Sequence, residues 1–424
     1  MKVTLLLLFV GLLLLSVPIA AVLSVLTVVP SFFRTFPVGV SYAVRSMVGG
    51  SDSFLLLAIP MFILSGVIMT HGKIAERIFK FITYFLGSSR TGLPNAMILT
   101  CLFYGAISGS APATVAAVGS MLLPILKKLD YPEEESTALL AVAGGLGVVI
   151  PPSIPFLLYG NATGTGIAAL FRAGIIPGVM IAVLLMLVAR HAFKDMPDAA
   201  RKQYVEELRA EKFTHLFKDG FFALLSPVIV LGSIYSGLAS PTESAVISVF
   251  YALIISLFFY RSFGVRDIPK ILLEAIRIYA PILFLLAAAL AFSRTLTIMG
   301  IPESVANFFE TRQSSYFATI VLIQIFLLFV GMIMDTSAAI LVLAPLLLPI
   351  VDRFGIHPVH FGVMMILNLA IGFVTPPVGV NLFVAESLTR IPIQKIAKNA
   401  LPYIGAFMIA LILVILFPIL SVAR

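Results

Sequence analysis

The chain is poor in the residues that soluble chemistry relies on. It has one cysteine (Cys101), five histidines, no tryptophan and only 11% charged residues in 424. A single cysteine excludes an internal disulfide framework. His71, His191, His215, His357 and His360 fall at the ends of apolar runs or in loops, with no pair in a convincing metal-ligand context, and read as interfacial. The chain carries no HExxH, no Ser–Lys or paired-Asp constellation and no G-x-x-x-x-G-K-[ST]. An intramembrane enzyme therefore lacks its groups, and an ATP-driven permease would need its ATPase on another chain.

What the chain has in excess is apolar surface, with 60% of residues hydrophobic. Runs of 18 or more apolar residues recur, each long enough to cross a bilayer. The short alternating segments of a β-barrel do not dominate. The expected fold class is an all-α polytopic membrane protein. The N-terminal run to Val29 is too long for a signal peptide and lacks a small-residue cleavage site, so it reads as a first span. Nine spans are expected, at about 4–29, 53–70, 133–163, 170–189, 220–238, 242–260, 275–298, 358–386 and 400–421. Segments 92–127 and 316–352 read as re-entrant hairpins, each with two apolar legs meeting at a polar tip, while 72–90 and 301–313 read as amphipathic and interfacial.

The net charge of +8 reports orientation rather than nucleic-acid binding. In this layout 21 of the 28 Lys and Arg lie on one side, which places that side and the N-terminus in the cytoplasm and the C-terminus outside. The loop 190–219 is then a cytoplasmic connector with a short helix of its own.

The chain also repeats itself. Ser110 to Ile125 (SAPATVAAVGSMLLPI) aligns without a gap to Asp335 to Ile350 (DTSAAILVLAPLLLPI), at an offset of 225 residues. Pro151-Pro152 and Gly147 find Pro376-Pro377 and Gly372 in the same register. An odd number of crossings separates the copies, so the second is inverted, the plan of many secondary transporters. The expected division is a first repeat at 1–189, a connector and linking span at 190–241, and a second repeat at 242–424.

Each repeat contains a span broken by Pro-Pro. Proline removes an N–H and clashes with the preceding turn, so the helix unwinds there. Irregular backbone at membrane depth is tolerated where it is buried or lines a polar cavity. Freed carbonyls suit cations, and new half-helix N-termini suit anions. The hairpin tips add the hydroxyls of Ser108, Ser110 and Thr114 in one copy and Asp335, Thr336 and Ser337 in the other. Each tip with its broken helix is expected to form one Na⁺ site, with an organic anion between the two tips. Asp335 is the only charge between Arg312 and Asp352. A charge so placed is a functional candidate that could ligate Na⁺, cap the following half-helix or carry a proton; pure capping is the bland alternative, and capping does not exclude ion binding.

Ser110, Pro112, Ser153, Asn161, Arg294 and Asn381 are the candidates to line the substrate site. Arg294 could meet a carboxylate or snorkel to the interface, and Asn161 and Asn381 could bond neighbouring helices instead. Glu243 follows Pro241 in a first turn and reads as dipole compensation. Glu386 ends the second broken span and reads as facing water.

Taken together, SGSAPATVAAVGS, IPPSI, PTESA, LAPLLLPI and TPPVGVNLFV resemble the large membrane subunit of tripartite ATP-independent periplasmic (TRAP) transporters, of the C4-dicarboxylate or sialic acid type. The family commonly has a second Ser where this chain has Ala111. The resemblance implies Na⁺-coupled uptake of organic acids across a bacterial inner membrane, with two or more Na⁺ and an elevator motion. It implies two partners, a small four-span membrane subunit and a periplasmic substrate-binding protein. It maps the Na⁺-site elements to Ser108 and Ser110 with Gly145, Gly147 and Val148, and to Asp335, Thr336 and Ser337 with Gly372 and Thr375. A stand-alone Na⁺/dicarboxylate symporter on the same two-hairpin plan is the alternative.

Overall fold

In a bilayer no water satisfies backbone polar groups, so spanning segments must pair them internally. The computed structural model describes residues 2–15, 17–33, 36–51, 54–194, 198–210, 213–301, 303–304 and 316–422, and these contain helices and no strand. By length and hydropathy alone, six of the described helices can cross a membrane, or eight if two bent pairs each count as one span. The nine spans expected from hydropathy include several that the structure divides. The first becomes two helices, Lys2–Leu14 and Ile19–Val28, separated at Pro18, which has no N–H to continue the ladder. The segment 72–90 holds the helix Ile74–Leu86, bent by 66° from Ala58–His71 and buried along one stripe through Ile74, Ile78, Phe79 and Ile82. Most of 301–313 lies outside the described residues.

The repeat reappears in the helix boundaries. The return legs of the two hairpins, Ala111–Lys128 and Thr336–Arg353, begin and end 225 residues apart, and so do the starts of Glu133–Ala143 and Pro358–Gly372. The outgoing legs are Gly92–Ser108 and Tyr316–Ile333. The first leg stops at Gly109, whose positive φ of 61° lets its N–H close on Gly105 O before Ser110 starts the return. The second return leg is capped by Asp335, whose Oδ2 accepts the N–H of Ser337 at 2.9 Å.

Both broken spans unwind where expected. One runs Glu133–Ala143, Leu146–Val149 and then Ile154–Thr163; the other runs Pro358–Gly372 and then Val380–Thr389. The Pro151-Pro152 and Pro376-Pro377 bonds are both cis. The half-helix before each break packs on the outgoing leg of its own hairpin, through Gly105 against Gly147 and Gly331 against Gly372. The half-helix after each break packs on the return leg of the other repeat's hairpin. Three hydrogen bonds join the two repeats elsewhere: Tyr159 OH to Pro358 O (2.7 Å), Asn381 Nδ2 to Ala141 O (2.9 Å) and, from the last helix Ile393–Leu416, Tyr403 OH to Glu135 Oε1 (2.6 Å).

A second body stands beside the hairpins. Helix 241–254 packs on Ala58–His71, and the long helix Ile268–Ile298 packs on Ile19–Val28, the same pairing one repeat later. Ser65 and Ser248 share a 2.6 Å hydrogen bond inside it. Ser240 and Glu243 form a reciprocal capping box, so Glu243 fastens its own helix end. The connector helix Asp198–Ala210 docks through buried Arg201, whose Nη1 donates to Gly87 O (2.9 Å) and Ser88 O (2.6 Å) just past the end of Ile74–Leu86. Those carbonyls sit at the negative end of that helix, where a cation is stabilising.

Two of the smaller readings gain detail. His360, in the first turn of Pro358–Gly372, is buried within the protein, with Ser421 Oγ 2.5 Å from its Nδ1. Glu386 is half-buried on the second post-break helix.

Candidate functional site

The two hairpin tips meet across one chamber of about 550 Å³. Ser108, Ser110 and Pro112 come from the first tip and Asp335, Thr336 and Ser337 from the second. Val148 and Phe373 close it from the two broken spans. The opposite wall is Gly66 and Thr70 of helix 58–71 with Glu274 and Ile278 of helix 268–298. The size suits a small molecule.

At the first tip three oxygens converge. Ser108 Oγ lies 2.9 Å from Thr114 Oγ1, and both hydroxyls donate to Ser110 O, at 3.2 and 2.8 Å. Gly147 presses against this cluster. A Cβ on Gly147 would fall 2.5 Å from Thr114 Oγ1 and 2.7 Å from Ser110 O. Two hydroxyls and a carbonyl held this closely, with little exposure, make the donor set a small hard cation takes. Ser110 enters through its backbone oxygen rather than its hydroxyl. Thr114 joins through a 4-residue helical step from Ser110, the spacing that brings a side chain back over the preceding carbonyl. Gly145 lies apart, packed against the Phe407 ring. Val148 O is taken by Ser153 Oγ at 2.6 Å, which leaves Ser153 buried behind the chamber wall.

The second tip is built differently. Asp335 caps its helix and stays exposed to the chamber. Thr336 lines the chamber, is buried and has no hydrogen-bond partner for its Oγ1. Gly372 reaches Gly331 so closely that a Cβ would lie 2.6 Å from its Cα. Thr375 Oγ1 donates to Ile371 O at 2.7 Å, at the foot of the unwound segment.

Four of the expected substrate residues stay outside the chamber: Ser153, Asn161, Arg294 and Asn381. Arg294 is exposed, and it follows Ile282, a chamber residue on the same helix, by twelve positions, or about 18 Å of rise. Asn161 sits half-buried near the end of Ile154–Thr163, beyond the wall. Asn381 is fully buried and bridges the repeats through Ala141. Conversely, Thr70, Tyr104 and Glu274 line the chamber without any motif to announce them. Tyr104 OH meets Thr70 Oγ1 at 2.5 Å.

Residues 6–420 match the family described as "Tripartite ATP-independent periplasmic transporter, DctM component". The chain is 38% identical over 88% of its length to the C4-dicarboxylate TRAP transporter large permease protein DctM of Pseudomonas aeruginosa, covering 86% of that protein. It is 34% identical over 90% of its length to the sialic acid TRAP transporter large permease protein SiaM of Vibrio cholerae, covering 87% of it. The crystal structure of the Alcanivorax borkumensis YdaH transporter, described as revealing an unusual topology, resembles this fold with a TM-score of 0.60. That likeness covers 96% of this chain and 97% of the other at 18% identity, so it concerns the fold alone. With both hairpins, both breaks and the chamber between them inside the matched span, this chain belongs to the DctM component family of tripartite ATP-independent periplasmic transporters, as a permease subunit and not an enzyme.

Proposed function

We propose that this permease carries a small organic anion, of the C4-dicarboxylate or sialic acid class, into a bacterium across the inner membrane, driven by Na⁺. The observation that carries the reading is the single chamber walled by both hairpin tips, each backed by a broken helix. One Na⁺ is assigned to Ser108 Oγ, Thr114 Oγ1 and Ser110 O beside Gly147, and a second to Thr336 and Asp335 beside Gly372 and Thr375. The anion lies between the tips near Ser110, Pro112 and Ser337, where bound Na⁺ offsets its charge.

The division into residues 1–189, 190–241 and 242–424 then has a mechanical meaning. Hairpins and broken spans of the two repeats travel together as one body past helices 58–71, 241–254 and 268–298, in an elevator motion. Its partners in this reading are a small four-span membrane subunit and a periplasmic binding protein; the words "tripartite" and "periplasmic" in the family description and "large permease" in the relatives' names support a system of several parts. The N-terminus lies in the cytoplasm and the C-terminus outside, on the charge bias of 21 to 7. A reporter fused within the 190–219 loop is expected to be active only in the cytoplasm and one after Arg424 only outside; a cytoplasmic C-terminus breaks this orientation.

The decisive measurement is uptake in proteoliposomes holding this chain and its small subunit. Labelled succinate or N-acetylneuraminate is offered with and without an inward Na⁺ gradient and a binding protein. Uptake that needs both supports the tripartite reading. Uptake with Na⁺ alone supports a stand-alone symporter of the same architecture. Uptake indifferent to Na⁺ removes the ion sites.

A further inference from the structure

The walls of the chamber are acidic. Glu274 and Asp335 are its charged lining residues, and among the described residues no Lys or Arg lines it. Glu274 Oε2 already holds His71 Nε2 at 2.9 Å, so the imidazole at the rim is engaged. An organic anion there depends on accompanying cations, and once these depart it faces two like charges in a confined space.

The structure offers it one direction. A groove of about 220 Å³ leaves the chamber, with Thr70, Tyr104, Ala117 and Ser120 lining both spaces, and ends at Lys73 and Glu76. Glu76 is paired with Lys80 at 2.9 Å. Lys73 is exposed, and its ammonium has no carboxylate partner among the described residues. Its backbone is left-handed, with φ of 54°, a conformation unfavourable for a residue with a side chain. The turn is held by the Lys73 N–H on Thr70 O at 3.0 Å, which ties Lys73 to the chamber wall. A cation whose backbone is anchored where a groove carrying three hydroxyls leaves an acidic chamber is placed to take an anion leaving the chamber along it.

We infer that Lys73, with the hydroxyl-lined groove past Thr70, Tyr104 and Ser120, forms an exit site for a small carboxylate anion on the cytoplasmic side. The inference rests on the organic-anion uptake and orientation proposed above. Lys73 sets the affinity seen from the cytoplasm, while the tips set the affinity seen from outside.

Membrane-impermeant maleimide labelling of Ser120→Cys tests it, in the complete complex, with everted and right-side-out vesicles. Native Cys101 is fully buried, so the unmodified chain is the unlabelled control. Ala117→Cys, which lines the same junction, serves if Ser120→Cys does not assemble. The expected result is labelling in everted vesicles and slowing by succinate or N-acetylneuraminate, whichever the unmodified complex transports. Adding Lys73→Gln should raise the protecting concentration about fivefold or more, the effect of removing one facing charge. Lys73→Arg should restore it. Labelling only from the outer face, or equal protection with Lys73→Gln, overturns the exit site while the transport reading stands. If neither acid crosses the membrane nor protects the cysteine, the transport reading itself fails and takes the exit site with it.

Discussion

Gly372→Ala is expected to reduce uptake by more than about a hundredfold, while the protein still reaches the membrane. The added methyl would lie 2.6 Å from Gly331 Cα, a contact with backbone rather than with a side chain that can turn away. The helices carrying Gly331 and Gly372 must separate, at a cost of about 1–3 kcal/mol typical of overpacking. Many membrane proteins tolerate that loss in stability. The chamber does not tolerate the displacement, because Thr336 and Asp335 follow within five residues of Gly331 and the unwound segment begins directly after Gly372. A shift of about an ångström at a site of converging ligands is enough to cost two orders of magnitude. Gly405 is the matched control: nothing lies within 4 Å of where its Cβ would be, so Gly405→Ala should behave as the unmodified chain. Uptake assays with thermal melts of purified protein separate the two contributions. Gly372→Ala transporting within twofold of the unmodified protein would show that the close contact has no part in the site.

The second large effect concerns the first tip. Ser108→Ala combined with Thr114→Val is expected to abolish Na⁺-dependent uptake, and either change alone should raise the Na⁺ concentration for half-maximal uptake by about tenfold. Removing a hydroxyl that ligates a desolvated cation forfeits a charge-assisted contact, about 1.5–3 kcal/mol. Ser110→Ala should stay within about threefold, because Ser110 presents its carbonyl to Ser108 and Thr114 and its backbone survives the change. The measurement is the Na⁺ dependence of uptake at fixed substrate. If Ser110→Ala is the damaging change and Thr114→Val is silent, the cation is held by other atoms than those assigned.

These contrasts show where the sequence was informative. The repeat, the hairpins and the breaks follow from proline, glycine and polar tips standing in an apolar chain, because each is a local rule of backbone conformation. The close glycine pairs were half visible: Gly147 and Gly372 fall in register, but their partners Gly105 and Gly331 are one position out of the repeat, since 106 and 331 correspond at that offset. The chamber's far wall was not visible. Thr70, Tyr104 and Glu274 belong to three different helices, and nothing in their neighbourhoods distinguishes them from ordinary span-end residues. Arg294 failed in the opposite way. It carries the right charge for a carboxylate, and only the length of its helix takes it away from the chamber. Pro18 shows that a hydropathy window does not register a break, because proline ends a helix without making the segment less apolar.

The exchange of half-helices has a consequence for how such a protein can arise. Each repeat's hairpin takes a neighbour that the other repeat provides. A half-length ancestor would therefore have completed itself by pairing with a second copy. Fusion of two such halves through a connector would fix their stoichiometry and free each copy to diverge. The tips differ in this respect: the Ser110 position of one copy corresponds to Asp335 in the other, so one tip is neutral and one charged.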